Sequence, residues 1–201
     1  MTTAGRGGDA NGTGSGGPGQ PIEELRFAVI GGYVMDCFVN TSRIPGWGEE
    51  HQARSVRTSP GGKALNQAVA LARLGAQVFA VGVVGDDGVG RDILAALGRE
   101  SIDTSRIQSR AKVPTAVCVC FVGDSGENAI VWHIDDEVAV SPGTMRDAAA
   151  VIRRADLVLV TFEMPQEFSR RRSPSSSAVT VTSGLRPARM SGPGPATGTG
   201  R

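Results

Sequence analysis

Short apolar runs alternate with stretches of helical periodicity along the middle of the chain. The runs cover residues 27–30, 78–84 and Leu157–Val160, and runs of this length are typical of strands buried on both faces of a parallel sheet. Between them, apolar residues recur at helical spacing over residues 64–74 and 89–97. This alternation predicts an α/β domain with right-handed crossovers.

More polar segments of β character interrupt this alternation. Residues 37–44 and 51–58 look extended and flank a Pro-Gly-Trp-Gly turn, while residues 116–122 and 128–134 flank a Gly-Asp-Ser-Gly turn. The first pair is too polar to form a core hairpin. We therefore expect the two pairs to form a β flap added to the α/β domain.

Helix boundaries are marked by residues with known capping preferences. Gly75 follows the first periodic stretch, where a helix stop is expected, and Asp86 and Asp87 precede the second stretch as N-caps. Ser141 and Pro142 are a cap and a first-turn proline. The helix that they open is expected to bury an inner face formed by Met145, Ala148, Ala149 and Ile152.

Both ends of the chain differ in composition from its middle. Residues 1–24 are mostly small, polar or charged, and residues 169–201 consist largely of Ser, Pro, Gly, Arg and Thr. Such segments bury too little apolar surface to offset the entropy of ordering, so we expect both to be disordered. The N-terminal segment lacks the pattern of a secretory or transit peptide. Residues 25–168 remain as the folded candidate.

Charge and cysteine content narrow the classes of partner. The formal net charge of +1 favours neither nucleic acid nor an anionic membrane surface, and no apolar run approaches the length of a membrane span. The three cysteines, Cys37, Cys118 and Cys120, form no CxxC pair, and Cys118 and Cys120 would share one face of a strand. Reduced thiols in a cytoplasmic protein are the expectation.

A diglycine opens the first predicted helix and provides the clearest candidate binding loop. Residues 61–68 read Gly-Gly-Lys-Ala-Leu-Asn-Gln-Ala. Glycine lets the backbone approach a ligand closely, and a helix N-terminus suits hydroxyls and anions. Lys63 and Asn66 project from the first turn, and their alternative role is that of solvated residues on the helix surface. The plain interpretation is a ligand-binding loop joined to a buried helix.

Acidic residues follow two of the predicted strands. Asp36 comes shortly after the first strand and Glu163 shortly after the last, at the edge where ligand sites of open α/β sheets gather. The alternative for Asp36 is a solvated or turn-capping carboxylate. The acidic run at 135–137 suits either a bound cation or a solvated turn. The two tryptophans, Trp47 and Trp132, either pack the flap or stack on a ligand.

Taken together, these motifs resemble the N-terminal half of the ribokinase-like sugar kinases, also called the phosphofructokinase B family. The resemblance runs from about residue 27 to residue 167. It rests on segment 61–68, Gly75, Gly-Asp-Asp-Gly at 85–88 and Leu-Val-Thr-Phe-Glu at 159–163, in that order. A lone diglycine would be weak evidence, whereas the ordered set is specific. The resemblance implies an α/β fold, a ribokinase-like Rossmann-type sandwich with a small β lid over the sugar.

The same resemblance implies a reaction and a substrate site. Family members transfer the γ-phosphate of ATP to a hydroxyl of a sugar or nucleoside, with Mg²⁺ bridging the phosphates. Carboxylate acceptors and amide donors together suit a polyol, because each hydroxyl both donates and accepts. The residues that match the family's substrate-binding positions are Asp36, Gly61, Gly62, Lys63, Asn66 and Glu163.

The chain departs from the family pattern in three places. Val34 stands where ribokinase proper has Asn, and residues 135–137 read Asp-Asp-Glu where Gly-Ala-Asn is typical, so ribose itself is not implied. The family's general base belongs to a second signature, Asp-Thr followed by Ala-Gly-Asp, which is absent from all 201 residues. No catalytic residue is therefore assigned.

These departures leave the activity of the chain open at this stage. We expect the C-terminal half of the family fold to be missing or replaced after about Phe168, by truncation or frameshift, with little or no kinase turnover by residues 1–201 alone. The alternatives are a sugar- or nucleoside-binding remnant without catalysis and an inert fragment with an unpaired sheet edge. The resemblance also allows a homodimer that pairs through the lid.

Overall fold

The computed structural model describes residues 21–161 of the chain and places them in two β-sheets with associated helices. The predicted buried strands all lie in one parallel, four-stranded sheet, and the α/β prediction is confirmed. In spatial order this sheet contains β5 (Asp103–Arg110), β4 (Gln77–Gly85), β1 (Arg26–Ile30) and β8 (Leu157–Val160).

Helices cover both faces of this sheet because its central strands are apolar on both sides. In β1, Phe27 and Val29 join one buried cluster, whereas Ala28 and Ile30 join another. Each fully buried aliphatic side chain contributes about 1.5–3 kcal/mol, so burial on both faces is a main source of the sheet's stability. The first cluster is closed by α1 (Lys63–Arg73) and α2 (Gly88–Arg99), and the second by α3 (Pro142–Asp147) and α4 (Ala149–Arg154).

A second four-stranded sheet forms the lid. In spatial order it contains β3 (Ser55–Gly61), β2 (Val34–Asn40), β6 (Val117–Val122) and β7 (Asn128–His133). The two predicted strand pairs are both antiparallel, and the parallel pairing of β2 with β6 joins them into one sheet. The boundaries of the first pair differ from the predicted segments 37–44 and 51–58. Strand β2 begins earlier, soon after β1 ends, and strand β3 ends later, almost directly before α1.

Most of the predicted helix boundaries are confirmed. Gly75 follows α1 with φ +94°, and the N–H of Ala76 returns to the Leu71 carbonyl at 3.1 Å, as in a Schellman-type stop. Ser141 caps α3 in a capping box with Thr144. The single helix predicted after Pro142 is instead two short helices that meet at Ala148.

One residue was predicted wrongly, and one strand was not predicted. Leu74, placed at the end of the first apolar stripe, is 58% exposed and lies beyond the packed face of α1. Strand β5 was missed because its sequence is polar, and Ile107 is its only buried residue. It pairs with β4 at one edge of the described sheet, so its outer positions face solvent and carry no apolar run.

A side-chain clamp between Arg26 and Asp156 joins the first and the last strand, in chain order, of the parallel sheet. The Arg26 guanidinium donates to both carboxylate oxygens of Asp156 at 3.1 Å, and the Arg26 backbone N–H donates to the same carboxylate at 2.9 Å. Because Asp156 immediately precedes β8, this clamp sets the register of β8 against β1.

The terminal segments fall largely outside the described residues. Of the N-terminal segment predicted at 1–24, residues 21–24 are described: Ile22–Glu24 form a 3₁₀ helix, and Ile22 packs against the core. The segment at 169–201 lies wholly outside the described part of the chain. Within residues 21–161, no helix has both the length and the apolar character needed to cross a membrane.

Candidate functional site

Asp36 lies within the lid strand β2. It is half-buried in β2, where its neighbours in register are Ser59 on β3 and Cys118 on β6. Asp36 does follow shortly after β1, as the sequence indicates, but it already belongs to β2, because this strand begins only a few residues after β1 ends. The carboxylate faces the junction between the lid and helix α1.

Gly61 provides the space that the Asp36 carboxylate occupies. A Cβ atom at Gly61 would lie 1.9 Å from Asp36 Oδ2 and 2.7 Å from Asp36 Cγ, which is far inside any permitted contact. Gly61 is buried at the end of β3, and its backbone is in the ordinary φ range. The need for glycine here comes from the side chain of Asp36 and not from the backbone.

Gly62 is needed for its backbone conformation. It is the N-cap residue of α1 with φ +92°, and a Cβ atom there would approach the Gly32 carbonyl oxygen to 2.9 Å. A residue with a side chain would be strained in this region of φ. Its carbonyl accepts the first helical bond, from the Asn66 N–H at 3.0 Å. The positive end of the α1 dipole therefore starts beside the Asp36 carboxylate.

Lys63 and Asn66 lie on the first turn of α1, and both are exposed to solvent. Lys63 lies close enough to the Cys118 thiol to lower its pKa, while Asp36 acts on the same thiol in the opposite direction. The structure thus brings Asp36 and Lys63 close to one thiol, and Gly61 borders the Asp36 carboxylate. Asn66 lies three residues after Lys63 on the same turn, and its side chain is exposed to solvent.

Cys118 is a residue of this site that the sequence did not indicate. Burial raises the pKa of its thiol above the ordinary value, the charge of Asp36 and the neighbouring Cys120 add to this, and a hydrogen bond to Asp36 acts in the same sense. The sequence did place Cys118 and Cys120 on one strand face. It carried no signal that β6 would pair with β2 and set Cys118 beside Asp36.

A buried hydrogen-bond network fixes the base of lid strand β6. The Thr115 N–H and hydroxyl donate to the Asp87 carboxylate at 2.8 and 2.7 Å, and the Gly90 N–H donates to it at 2.7 Å. Burial raises the pKa of Asp87, but these hydrogen bonds outweigh it and hold the pKa below its usual value. The prediction of Asp87 as a helix cap is confirmed, and the same carboxylate also anchors the lid.

A separate cleft lies where the lid meets the parallel sheet. Its volume is only about 10 Å³, which is roughly the space that one water molecule needs. Its lining is almost entirely apolar and does not include Asp36, Gly61 or Lys63, so it is distinct from the polar site. The lining residues are Gly32, Tyr33, Val83, Ala116, Ile134, Val138, Ala139 and Val140.

The acidic run at 135–137 has the features of a solvated turn. Asp135 accepts the Glu137 N–H at 2.9 Å and caps a 3₁₀ helix, while Asp136 and Glu137 are exposed. Across residues 21–161, no group of three or more His, Cys, Asp or Glu side chains converges to hold a metal ion. Neither tryptophan packs into the core: Trp47 is fully exposed and Trp132 is 66% exposed.

Glu163, the last of the predicted substrate residues, lies outside the described residues. The strand that leads to it is described: β8 pairs with β1, and the following Thr161 packs directly on Gly31. Thr161 is buried, and a Cβ atom at Gly31 would lie 1.9 Å from its hydroxyl oxygen. The ends of β1 and β8 therefore lie in close contact beside the entry to the lid.

Comparison with known proteins gives consistent matches over this region. Residues 25–170 match the family model described as pfkB family carbohydrate kinase. The chain is 39% identical over 143 residues to a ribokinase of Bacillus subtilis (strain 168), covering 70% of this chain and 48% of that protein. It is 31% identical over 150 residues to a ribokinase of Mus musculus, covering 73% and 46%.

A solved structure matches with similar coverage. The ribokinase of Arabidopsis thaliana complexed with ribose and ATP superposes with a TM-score of 0.62 at 27% identity, over 72% of this chain and 47% of that one. The chain thus spans about half the length of the curated relatives it matches.

Proposed function

Because this chain belongs to the pfkB family of carbohydrate kinases, we propose that its described region binds a sugar or nucleoside hydroxyl at Asp36. The reaction proposed for the protein is transfer of the γ-phosphate of ATP to that hydroxyl, in the cytoplasm. The observation that carries the proposal is the half-buried Asp36 carboxylate held against the Gly61 backbone at the start of α1.

The chemistry around Asp36 suits a polyol. A carboxylate accepts hydrogen bonds from hydroxyl groups, while the Lys63 ammonium and the Asn66 amide donate to hydroxyl oxygens. Gly61 and Gly62 let a ligand approach the backbone closely. Glu163 is proposed as a further acidic residue of the site by family resemblance alone. Partly desolvated hydrogen bonds to a charged group are each worth about 1.5–3 kcal/mol, which is enough for selective recognition.

The identity of the sugar is the finer part of the proposal. Val34 is 8% exposed and lies in register with Gly61, so an apolar side chain stands where ribokinase proper has an amide. Relatives named ribokinase and deoxyribokinase both match this chain. Ribose, 2-deoxyribose and a nucleoside are therefore the substrates to compare.

ATP is the proposed phosphoryl donor, and Mg²⁺ would neutralise charge on its phosphates when bound. Support for ATP comes from the relative solved with ribose and ATP. The described residues offer no convergent set of acidic ligands for the metal, so we assign no step to it. The part that this region plays is to bind the acceptor sugar and orient its hydroxyls.

Titration calorimetry of the 201-residue chain with the three candidate ligands tests the proposal. We expect saturable binding of at least one, weakened about 10- to 100-fold in Asp36→Asn, because the neutral amide loses a charge-assisted hydrogen bond. Asp92→Asn, an exposed residue on α2, is the matched control and should bind as the unmodified chain does. No binding of any ligand, or equal binding by Asp36→Asn, would refute the proposal.

A second candidate function is sugar binding without catalysis. It is favoured by the position of the candidate site residues, because Asp36, Gly61, Gly62 and Lys63 all lie in the lid and at the start of α1. A coupled assay for ADP release separates the two functions: turnover that requires the sugar supports the kinase, whereas calorimetric binding without turnover supports the binding protein.

The homodimer through the lid stays a prediction. Val56, Val117 and Val131 lie on the lid face opposite Asp36 and are 61%, 37% and 64% exposed. Exposed apolar side chains grouped on one sheet face favour a protein contact. Sedimentation velocity reports the oligomeric state directly, and a monomer across the micromolar range would exclude this dimer.

A further inference from the structure

We propose that Cys118 is a positioning residue of the sugar site, whose thiol donates to the Asp36 carboxylate and holds it in the orientation that receives a sugar hydroxyl. The inference rests on the proposed function and extends it to a residue that the motif did not contain. Asp36 is then fixed from two sides, by Gly61 at the end of β3 and by Cys118 on β6.

The position of Cys118 follows from the pairing of the two lid hairpins. Asp36 and Cys118 are register partners in the parallel ladder between β2 and β6. Register partners on neighbouring strands point to the same face, and the strands lie about 4.8 Å apart. The thiol and the carboxylate are therefore side by side where β2 pairs with β6, within reach of the hydrogen bond that we propose between them.

The surroundings of Cys118 keep it in the form that can donate. Burial raises the pKa of the thiol, followed by the charge of Asp36, by Cys120 and by the hydrogen bond to Asp36, whereas Lys63 lowers it. The sum is a pKa above the ordinary value, so at neutral pH the sulfur keeps its proton. A protonated thiol is a donor to a carboxylate, whereas a thiolate would repel it.

Cys120 provides a matched comparison on the same strand and face. Its register partner on β2 is Phe38, whose ring carries the Arg57 guanidinium at 4.3 Å from the ring centre. Cys120 is thus paired with an aromatic residue and not with the carboxylate. Cys37, adjacent to Asp36 along β2, points to the opposite face of the lid. The chain therefore carries its own two reference thiols.

The first test measures sugar affinity by calorimetry in the full chain. Cys118→Ala should weaken binding about fivefold, the value of one modest hydrogen bond. Cys118→Ser, which keeps a donor, should restore affinity to within about twofold. Cys120→Ala should bind as the unmodified chain does. Urea unfolding of each variant identifies any change in affinity that reflects loss of folded protein.

The second test measures the accessibility of Cys118 in the unmodified sequence. The full chain is treated with iodoacetamide at pH 8, with and without saturating sugar, and alkylation of each cysteine is measured by mass spectrometry. Sugar at Asp36 should slow the alkylation of Cys118 and leave that of Cys37 unchanged. A residue that served only packing would show neither rescue by serine nor selective protection.

The outcomes separate this inference from the proposed function. If sugar binds but Cys118→Ala binds equally well, or if serine fails to rescue and Cys118 is unprotected, the role of Cys118 is overturned and the sugar site stands. If no sugar binds to the unmodified chain, the proposed function fails and this inference fails with it. Loss in alanine, rescue by serine and protection by sugar together support the inference.

Discussion

A single methyl group at position 61 should disable the proposed sugar site while leaving the fold largely intact. In Gly61→Ala the new Cβ atom would lie 1.9 Å from Asp36 Oδ2, whereas real Cβ atoms essentially never come within 3.0 Å of another heavy atom. The carboxylate must therefore retreat by about 1 Å or turn away. Misplacement on that scale breaks a directional hydrogen bond.

The magnitude follows from what the carboxylate does and from what the backbone tolerates. Losing one or two hydrogen bonds to a charged group costs about 1.5–3 kcal/mol, which weakens sugar affinity about 10- to 100-fold. Gly61 has no positive φ, and the atoms nearest to the new methyl group all belong to the Asp36 side chain. We therefore expect the free energy of unfolding to fall by about 1 kcal/mol or less.

Calorimetry and urea unfolding together test both parts, with Gly62→Ala as the contrasting variant. Gly62 has φ +92°, and its Cβ atom would meet the Gly32 carbonyl oxygen at 2.9 Å, so alanine there should cost about 1–3 kcal/mol of stability through backbone strain. Unchanged sugar affinity in Gly61→Ala would contradict this prediction. Equal loss of stability in the two variants would contradict it as well.

Two further predictions concern the frame around the site. Asp156→Asn should lower the free energy of unfolding by about 1–2 kcal/mol at pH 7. The hydrogen bond to Arg26 holds the pKa of Asp156 below its usual value, although burial opposes this shift. The stabilisation is therefore present above the unfolded-state pKa of about 3.9 and is lost as the pH falls through the folded-state pKa. Urea unfolding curves of the two proteins that stay equally separated at pH 2 would contradict this prediction. Asp87→Ala should lower the free energy of unfolding by about 2 kcal/mol, because it removes a helix cap and two hydrogen bonds to buried Thr115. The control is Asp86→Ala, at an exposed neighbour in a 3.7 Å ion pair with Arg91, which should cost about 0.5 kcal/mol or less. Equal losses in the same unfolding assay would argue against the hydrogen-bond network.

The sequence predicts those parts of the fold that depend on residues close together in the chain. The apolar run of β1, the stop at Gly75 and the cap at Ser141 each depend on neighbouring residues, and each is found in the structure. Strand β5 was missed because an edge strand needs only one buried residue, Ile107. Its place in the sheet depends on pairing with β4, which precedes it along the chain on the other side of helix α2.

The candidate site also contains residues that the sequence indicates and one that only the structure reveals. Gly61 and Gly62 stand out in the sequence, although the reasons that they must be glycine differ: one makes room for Asp36 and the other adopts a positive φ. The place of Cys118 beside Asp36 depends on the pairing of two strands far apart in sequence. No local pattern encodes that register, so only the three-dimensional structure could reveal it.

The order of strands in the parallel sheet has a consequence for how the protein is made. Strand β1 is synthesised first among its strands, yet one of its two neighbours is β8, and the clamp between them joins residues 130 positions apart. At a synthesis rate of about 5–20 residues per second, β1 waits on the order of ten seconds for that partner. During this interval the backbone groups along one edge of an apolar strand are unpaired. The nascent chain can therefore pair wrongly with another strand until β8 leaves the ribosome.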